Sequence, residues 1–477
     1  MSRTPSPDPV TAHLRALRED PQSVNPPGWH ADFADGPWPV KAYQGGHRSP
    51  PDGSLARVLH RAVAVTAVRG PGTTLRRAVP SGGAMYPTEV YVVAPHTGRC
   101  WHVDPYRGDL LALPGTGPTA RLRAGLRLGE HDPLPPVLLM LTSRFWKNFY
   151  KYGTFSFRLG AVDAGVLLGR LRRLATAEYG TAQPVTTFAD EVLNEYLGLD
   201  GDQESVYAVL GCGRHPGDAP DPPAGPVTTA PPVLERSRRI KRTPVFDLLH
   251  TAARTGAPEH PTTGPAPAGD PPGAAAILLP PALPVDLLDD DTIVRRHSNG
   301  RHFTGAPATA AQLATVLRTT ADQSDATAGL PGTDRYVAVH RVTGIPAGWY
   351  AHRHDRLVPV GRGHDPGLGP YLQQALFGDT VNAELAAFTV HIVAAPHDGH
   401  RSARAYRTQQ LAVGVALEAV TLTATAVGLG NHPFLGFDAP AIDAAYGLDA
   451  HTAGAQAQIC AGPVRPGPEW EVTVRPR

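Results

Sequence analysis

The sequence predicts an α+β protein built from two copies of one domain in a single chain, closed on each other as a pseudo-dimer. Three observations carry this. One spacing recurs: Arg158 and Arg407 lie 249 residues apart, as do the Gly-Leu-Asp triplets at 198–200 and 447–449. The features around each arginine follow one order. An aromatic residue precedes it (GTFSFR at 153–158, SARAYR at 402–407), and a long apolar helix, a short helix, Gly-Leu-Asp and an apolar strand follow (206–213; 457–463). Tyr91 in EVYVV and Tyr336 in DRYVAV lie 245 residues apart, the same match with a small gap. Self-similarity at a fixed period marks a repeated unit, and two tethered copies of a dimer-forming subunit can pair within one chain.

Composition allows this. A chain of 477 residues is expected to form two or three domains, and 42% hydrophobic residues are enough for sizeable cores. A net charge of +1 gives no bulk electrostatic case for nucleic acid. Three cysteines (Cys100, Cys212, Cys460) without metal-type spacing fit a reducing cytoplasm better than a disulfide scaffold. Residues 1–20 contain no signal-peptide core. The run at 411–430 is long enough to span a bilayer, but Glu418 and three threonines point to a buried helix instead.

Along the chain, 1–54 is Pro/Gly-rich and polar and reads as an irregular arm. Copy one occupies 55–213. Within it 55–68 reads as a helix, 89–94 and 137–142 as strands, 158–179 as a long helix and 189–197 as a short helix ending at Gly198. Residues 214–285 form a Pro-rich linker. They hold a basic run, ERSRRIKR (235–242), read as solvated, and a short apolar helix at 244–253. Copy two occupies 286–477, with a helix predicted over ATAAQLATVLRTT (308–320).

Two motifs carry chemistry. VPSGGAMYPTEVYVVA (79–94) places a serine and two glycines before a buried strand. A tight turn needs one glycine, so two suggest a large flat group against the backbone. VRRHSNGRHFTG (294–305) clusters Arg295, Arg296, Ser298 and Arg301 at a turn, suited to phosphate by charge-assisted hydrogen bonds; a solvated basic turn is the alternative. His352-Arg353-His354 and His397/His400 lack a third ligand and read as surface loops, so no metal is expected. Ser81 has no Gly-x-Ser-x-Gly context and is not expected to be a nucleophile.

Together these motifs resemble the FMN-dependent nitroreductase-like superfamily, which implies a three-layer fold. In that family an Arg-x-Ser-x-Arg-x-Phe segment holds the flavin phosphate, and a Pro-Ser-x-Gly turn from the partner subunit covers the isoalloxazine ring. Arg296, Ser298, Arg301 and Phe303 fit the first motif with one extra residue after Ser298, which leaves Arg295 and Arg301 as alternatives for one role. Pro80, Ser81, Gly82 and Gly83 fit the second. Gly428, Leu429, Gly430 and Asn431 resemble the family's Gly-Leu-Gly turn. Arg465 resembles its C-terminal phosphate-binding basic residue, or is a surface arginine.

More narrowly, PVKAY (39–43), RRAVPSGGAMYPTEVYVVA (76–94), WHVDPYRGDL (101–110) and FYKYGTFSFR (149–158) resemble the SagB-type azoline dehydrogenases of thiazole/oxazole-modified peptide pathways. The resemblance assigns catalysis to Lys151 and Tyr152. It implies a modified precursor peptide as substrate, a cyclodehydratase complex as partner and O2 as electron acceptor. Oxidation of an azoline removes a proton and a hydride. FMN would take the hydride, and Lys151 would take the proton if burial, or the nearby cations Lys147 and Arg158, lowered its pKa. Copy one keeps the ring-covering turn and lacks the phosphate motif, whereas copy two keeps the phosphate motif and has SDATAGLPGTD (324–334) in place of the turn. One FMN per chain is therefore expected. Two alternatives stay open: an NAD(P)H-dependent nitro- or quinone reductase, and a non-catalytic docking subunit of a peptide-modifying complex.

Overall fold

The computed structural model describes residues 8–70, 74–114, 119–218, 227, 229–256, 275–325, 329–395, 401–467 and 471–473. The chain divides into two compact units. The first contains Met1–Ala64, Ser81–Pro261 and His397–Leu411; the second contains Val65–Pro80, Thr262–Pro396 and Ala412–Arg477.

The first unit is organised on a seven-stranded antiparallel sheet: β1 (Arg48–Ser49), β2 (Thr88–Ala94), β3 (Arg99–Val103), β4 (Leu110–Leu113), β5 (Val137–Arg144), β6 (Ala182–Val185) and β7 (Glu204–Cys212), in the order β1-β4-β3-β2-β5-β7-β6. The second unit has β8 (Ile277–Leu278), β9 (Asp334–Val339), β10 (Gly348–Arg353), β11 (Arg356–His364), β12 (Phe388–Ala394), β13 (Gly430–Phe434) and β14 (Gly454–Gly462), in the order β8-β11-β10-β9-β12-β14-β13. Adding seven to each strand of the first order yields the second.

The repeat reaches individual hydrogen bonds. The helix before β7 (Asp190–Tyr196) ends at Gly198, φ +66°, and the helix before β14 (Ala439–Tyr446) ends at Gly447, φ +67°. Glycine suits both positions because a Cβ disfavours the left-handed region. Asn194 Oδ1 accepts from Val206 N (2.8 Å), and Asp443 Oδ1 accepts from Ala455 N (2.7 Å). Each closing strand skips one residue in its pairing, Tyr207 in β7 and Gln456 in β14. Every one of these pairs is 249 residues apart.

The principal helices lie in both units. They are α1 (Pro9–Glu19), α2 (Gly53–Ala62), α3 (Trp146–Tyr152), α4 (Ser156–Tyr179), α5 (Asp190–Tyr196), α6 (Pro244–Thr255), α7 (Ala310–Asp325), α8 (Ala403–Ala426) and α9 (Ala439–Tyr446). In the first unit α4 packs on β5 and β7, while α5 contributes Leu193 and Tyr196 to a core with Tyr91, Leu138, Met140 and Val209. Every residue of β2 is buried, as expected for a central strand covered on both faces. In the second unit Tyr336, Trp349, Val393, Ile442 and Tyr446 form the corresponding core. No helix among the described residues is long and apolar enough to cross a membrane.

Several expectations are corrected. The arm over 1–54 is not wholly irregular: among its described residues Pro9–Glu19 form a helix. Asp8 caps α1 by accepting from Val10 N (2.9 Å), and Leu14 and Leu17 are fully buried on the face that meets α6. The helix expected over 55–68 stops at Ala62. Val65–Arg69 is instead a strand between Thr74–Arg77 and Glu471–Thr473, because the β-branched Val-Thr-Ala-Val stretch finds sheet partners there. Residues 65–80, counted with copy one in sequence, thus belong to the second compact unit.

The linker over 214–285 is only partly a linker. Phe246, Leu249 and His250 of α6 are buried, and Phe246 meets Phe145, Phe149 and Phe157 edge-on. The basic run 235–242 is bound to its own unit. The amides of Arg238 and Arg239 donate to Asp35 (2.6 and 3.0 Å), and Trp146 Nε1 donates to Ser237 Oγ (2.7 Å). His352 is a buried residue of β10, held neutral by burial with its pKa down to about 3, and not a loop histidine. His397 and His400 lie outside the described residues, as does part of 324–334. Among the described residues no cluster of three His, Cys, Asp or Glu side chains is placed to hold a metal ion.

Candidate functional site

The turn after Pro80 gathers three left-handed residues within four positions. Gly82–Ala84 form a single 3-10 turn in which Gly83 has φ +60°. Ala84 (φ +56°) and Tyr86 (φ +48°) also take left-handed values, which side chains disfavour and a surrounding structure must enforce. The enforcement is visible. Ser81 Oγ donates to Asp163 Oδ2 (2.8 Å) and accepts from Tyr86 N (2.9 Å), while Gly82 N donates to Asp163 Oδ1 (3.2 Å).

Each glycine has its own reason. A Cβ at Gly82 would stand 2.5 Å from Leu159 of α4. A Cβ at Gly83 would fall inside contact distance of Tyr152 Oη and 2.7 Å from Lys151 Nζ. The two glycines therefore answer to protein neighbours: one to the packing of α4, the other to the Lys-Tyr pair. The Ser81 hydroxyl staples the turn. Gly83→Ala is expected to lower stability by about 1–2 kcal/mol through the left-handed backbone and to push the tips of Lys151 and Tyr152 away. Urea unfolding checks the first effect and a structure of the variant the second.

Lys151 and Tyr152 close α3. Gly153 (φ +55°) ends the helix, and Asn25 from the N-terminal segment binds both sides of the break, donating to Tyr152 O (3.0 Å) and accepting from Thr154 N (2.7 Å). Trp29 packs edge-on against Phe149, and Phe33 against Tyr150. Tyr150 Oη donates to Met85 Sδ of the turn (3.1 Å). Lys151 Nζ sits 5.2 Å from the Tyr152 ring centroid.

Burial lowers the pKa of Lys151. The cations expected to do so have other work. Lys147 is buried with Glu89 (3.1 Å), and Arg158 is buried with Nη1 donating to Leu17 O (2.9 Å). Burial first, and then the Asp163 charge, push Tyr152 well up, so it stays a phenol. A half-buried amine that holds its proton less tightly than an exposed lysine, beside a phenol that keeps its own, is an arrangement able to serve as a base and a hydrogen-bond donor.

The second motif lies in the second unit. Arg296 is buried, and its Nε donates to Ala78 O (2.8 Å), two residues before Pro80. Arg76 Nη2 donates to Arg296 O (3.3 Å) and also pairs with Glu471. Through these bonds Arg296 ties the segment approaching the turn. Ser298 is half-buried in a parallel bridge to Asn431; Asn299 N donates to Asn431 O (2.9 Å), and Asn431 N donates to Asn299 Oδ1 (2.8 Å). The sequence motifs at 294–305 and 428–431 are therefore interlocked. Gly428 (φ +79°) terminates α8, and a Cβ on Gly430 would meet Asn299 Oδ1 at 2.8 Å.

Arg295, Arg301 and Arg465 are exposed around this loop. Arg295 Nε donates to Asp291 O (3.1 Å), Arg301 donates to Asp379 O (2.5 Å), and Arg465 N donates to His302 O (3.0 Å). A hydroxyl and three exposed guanidinium groups on one loop and its neighbour are a donor set that fits a phosphate.

With this geometry in view, comparison with known folds is informative. A candidate nitroreductase from Anabaena variabilis matches with a TM-score of 0.75 and 20% identity, covering 96% of this chain and 99% of that one. The fold is nitroreductase-like. A second candidate nitroreductase, from Ralstonia eutropha, matches at TM-score 0.33 and 19% identity over 44% of this chain and 99% of that one. The Escherichia coli microcin synthetase McbBCD complex with truncated pro-MccB17 matches at TM-score 0.30 and 20% identity over 45% and 84%. Those two superpose too loosely to carry weight. No family model and no curated relative matches the sequence. The nitroreductase-like fold of this chain thus places a Lys-Tyr pair against a strained glycine turn. Three residues around that pair and its turn (Asn25, Asn148 and Asp163) had no motif to announce them.

Proposed function

We propose that the chain is an FMN-dependent azoline dehydrogenase, oxidising thiazoline or oxazoline rings of a modified precursor peptide to thiazoles or oxazoles. The observation that carries the reading is the convergence of Lys151 Nζ and Tyr152 Oη on the backbone of Gly83, with Lys151 made a weaker holder of its proton by burial. FMN, when bound, supplies a two-electron acceptor for the ring hydride. Lys151 takes the ring proton, and Tyr152, kept as a phenol, donates a hydrogen bond to the ring heteroatom or its neighbouring carbonyl. O2 is the final acceptor, and a cyclodehydratase complex is the source of the azoline peptide.

The reading assigns one FMN per chain. Its phosphate falls to Arg296 and Ser298, with Arg301 or Arg295 and Arg465 beside them, and its ring to the turn at Pro80–Gly83. A charge-assisted hydrogen bond is worth about 1.5–3 kcal/mol, so Arg301→Ala is expected to weaken FMN affinity by at least about tenfold, read by flavin fluorescence titration of the apoprotein. The function is tested by mass spectrometry of a thiazoline-containing peptide incubated with the flavin-loaded protein. Loss of two hydrogens per ring supports the reading. No loss, together with rapid NAD(P)H consumption on nitroaromatics, replaces it with a nitroreductase. A protein that binds no flavin is a docking subunit.

A further inference from the structure

Asp163 lies on α4, seven residues after the start of the helix, and is 6% exposed. Its carboxylate collects three donors from two elements: Ser81 Oγ (2.8 Å) and Gly82 N (3.2 Å) from the turn, and Asn148 Nδ2 (3.4 Å) from α3. It makes no ion pair among the described residues. A buried carboxylate without a cation is costly and persists where its hydrogen bonds hold something in place. Asn148 precedes Lys151 and Tyr152 by three and four residues, so all three share one face of α3. The turn residue beyond Gly82 is Gly83, against which Lys151 Nζ and Tyr152 Oη rest.

We propose that Asp163 is the positioning residue of this site: its carboxylate clamps the Ser81–Gly82 turn to α3 through Asn148, and so sets the distance between the Gly83 backbone and the Lys151–Tyr152 pair. The catalytic meaning rests on the reading of Lys151 and Tyr152 given above; the clamp itself does not.

Asp163→Asn tests it at constant shape. The new amide would turn its NH2 either toward Gly82 N or toward Ser81 Oγ and Asn148 Nδ2 together, groups that now donate to the carboxylate. The direct readout is labelling of lysines in the apoprotein with acetic anhydride, counted by peptide mass. Lys41 and Lys147, both buried in ion pairs, are internal controls for general loosening. Labelling of Lys151 is expected to rise several-fold while Lys41 and Lys147 stay protected. Ser81→Ala, which removes one donor and leaves the carboxylate, is expected to change Lys151 in the same direction by less. In the flavin-loaded enzyme turning over a thiazoline peptide, Asp163→Asn is expected to lower kcat by about tenfold or more with KM within about twofold, since a misplaced base harms the chemical step and not substrate capture.

Unchanged Lys151 labelling in both variants overturns the clamp, as does an equal rise at all three lysines. Labelling needs neither flavin nor substrate, so it reports on the clamp even if the peptide is not oxidised. If Lys151 is exposed by Asp163→Asn while Lys151→Ala leaves turnover intact, the clamp stands and the catalytic reading falls.

Discussion

Lys151→Ala is expected to lower azoline oxidation by about 10²–10⁴-fold, the usual worth of a positioned general base, while FMN stays bound. The amine is half-buried at the end of α3, and its pKa is lowered by burial alone. No carboxylate pairs with it to hold it charged among the described residues. Retained flavin is expected because the phosphate set assigned above lies on the loop at 294–305 and near Arg465. The pH dependence has a definite sign. The base form accumulates as pH rises through the pKa of Lys151, which lies below the ordinary 10.5. The wild-type rate therefore climbs with pH and levels off earlier than an exposed lysine would allow, whereas the alanine variant lacks this limb. A steady-state pH–rate series on a thiazoline peptide, with flavin content measured in each variant, checks both points. Unchanged turnover with full flavin occupancy would sink the role given to Lys151.

Lys41→Met is expected to destabilise the protein by about 3–5 kcal/mol, the cost of removing one partner of a buried pair. Lys41 Nζ donates to Glu204 (2.7 Å) and to Tyr91 Oη (2.6 Å), and Glu204 also accepts from Tyr91 (2.8 Å) and Thr142 (2.7 Å), all away from solvent. Without the ammonium, Glu204 is a buried carboxylate with neutral partners only. Burial by itself would lower the Lys41 pKa, but the Glu204 charge outweighs it and the net direction is up; burial would raise Glu204, but Lys41 outweighs it and the net direction is down.

Linkage then sets the pH profile. The Glu204 contribution is present above its ordinary 4.5 and is lost as pH falls through its depressed folded value; the Lys41 contribution is present below 10.5 and is lost as pH rises through its raised folded value. Wild-type stability from this pair is therefore flat across neutral pH. In Lys41→Met the Glu204 pKa turns upward, so stability should fall as pH rises from about 4 to 7. Urea titrations at several pH values read this, and Lys41→Met with Glu204→Gln should recover much of the loss.

The fold was legible where periodicity had to be local. The long helices at 158–179 and 411–430, the strands at 89–94 and 137–142, and the two Gly-Leu-Asp stops all show in residue order, because backbone geometry imposes 3.6- and 2-residue periods on any buried face. The 249-residue spacing foretold two sheets of one strand order, and it persists in the Asn194–Val206 and Asp443–Ala455 hydrogen bonds. Less legible were the segments whose structure depends on distant partners. Val65–Arg69 has helix-compatible neighbours and became a strand because Glu471–Thr473 and Thr74–Arg77 pair with it. The N-terminal residues and 244–255 read as arm and linker because Pro and Gly surround them, yet Leu17 and Phe246 are core residues.

The candidate site divides in the same way. Sequence alone named Lys151-Tyr152, the Ser-Gly-Gly turn and the arginine loop, and it specified the duplicated α+β fold, since these are properties of adjacent residues and of their repetition. Three-dimensional packing decided what the residues do. It aimed Gly82 at Leu159 and Gly83 at the Lys-Tyr pair, turned Arg296 inward onto Ala78, and closed Ser81 and Asn148 on Asp163. Those assignments hang on which side chain occupies a space of a few ångströms, and on which buried donor or acceptor must be satisfied there. Contacts between residues 15 to more than 200 positions apart leave no local trace in the order of the chain.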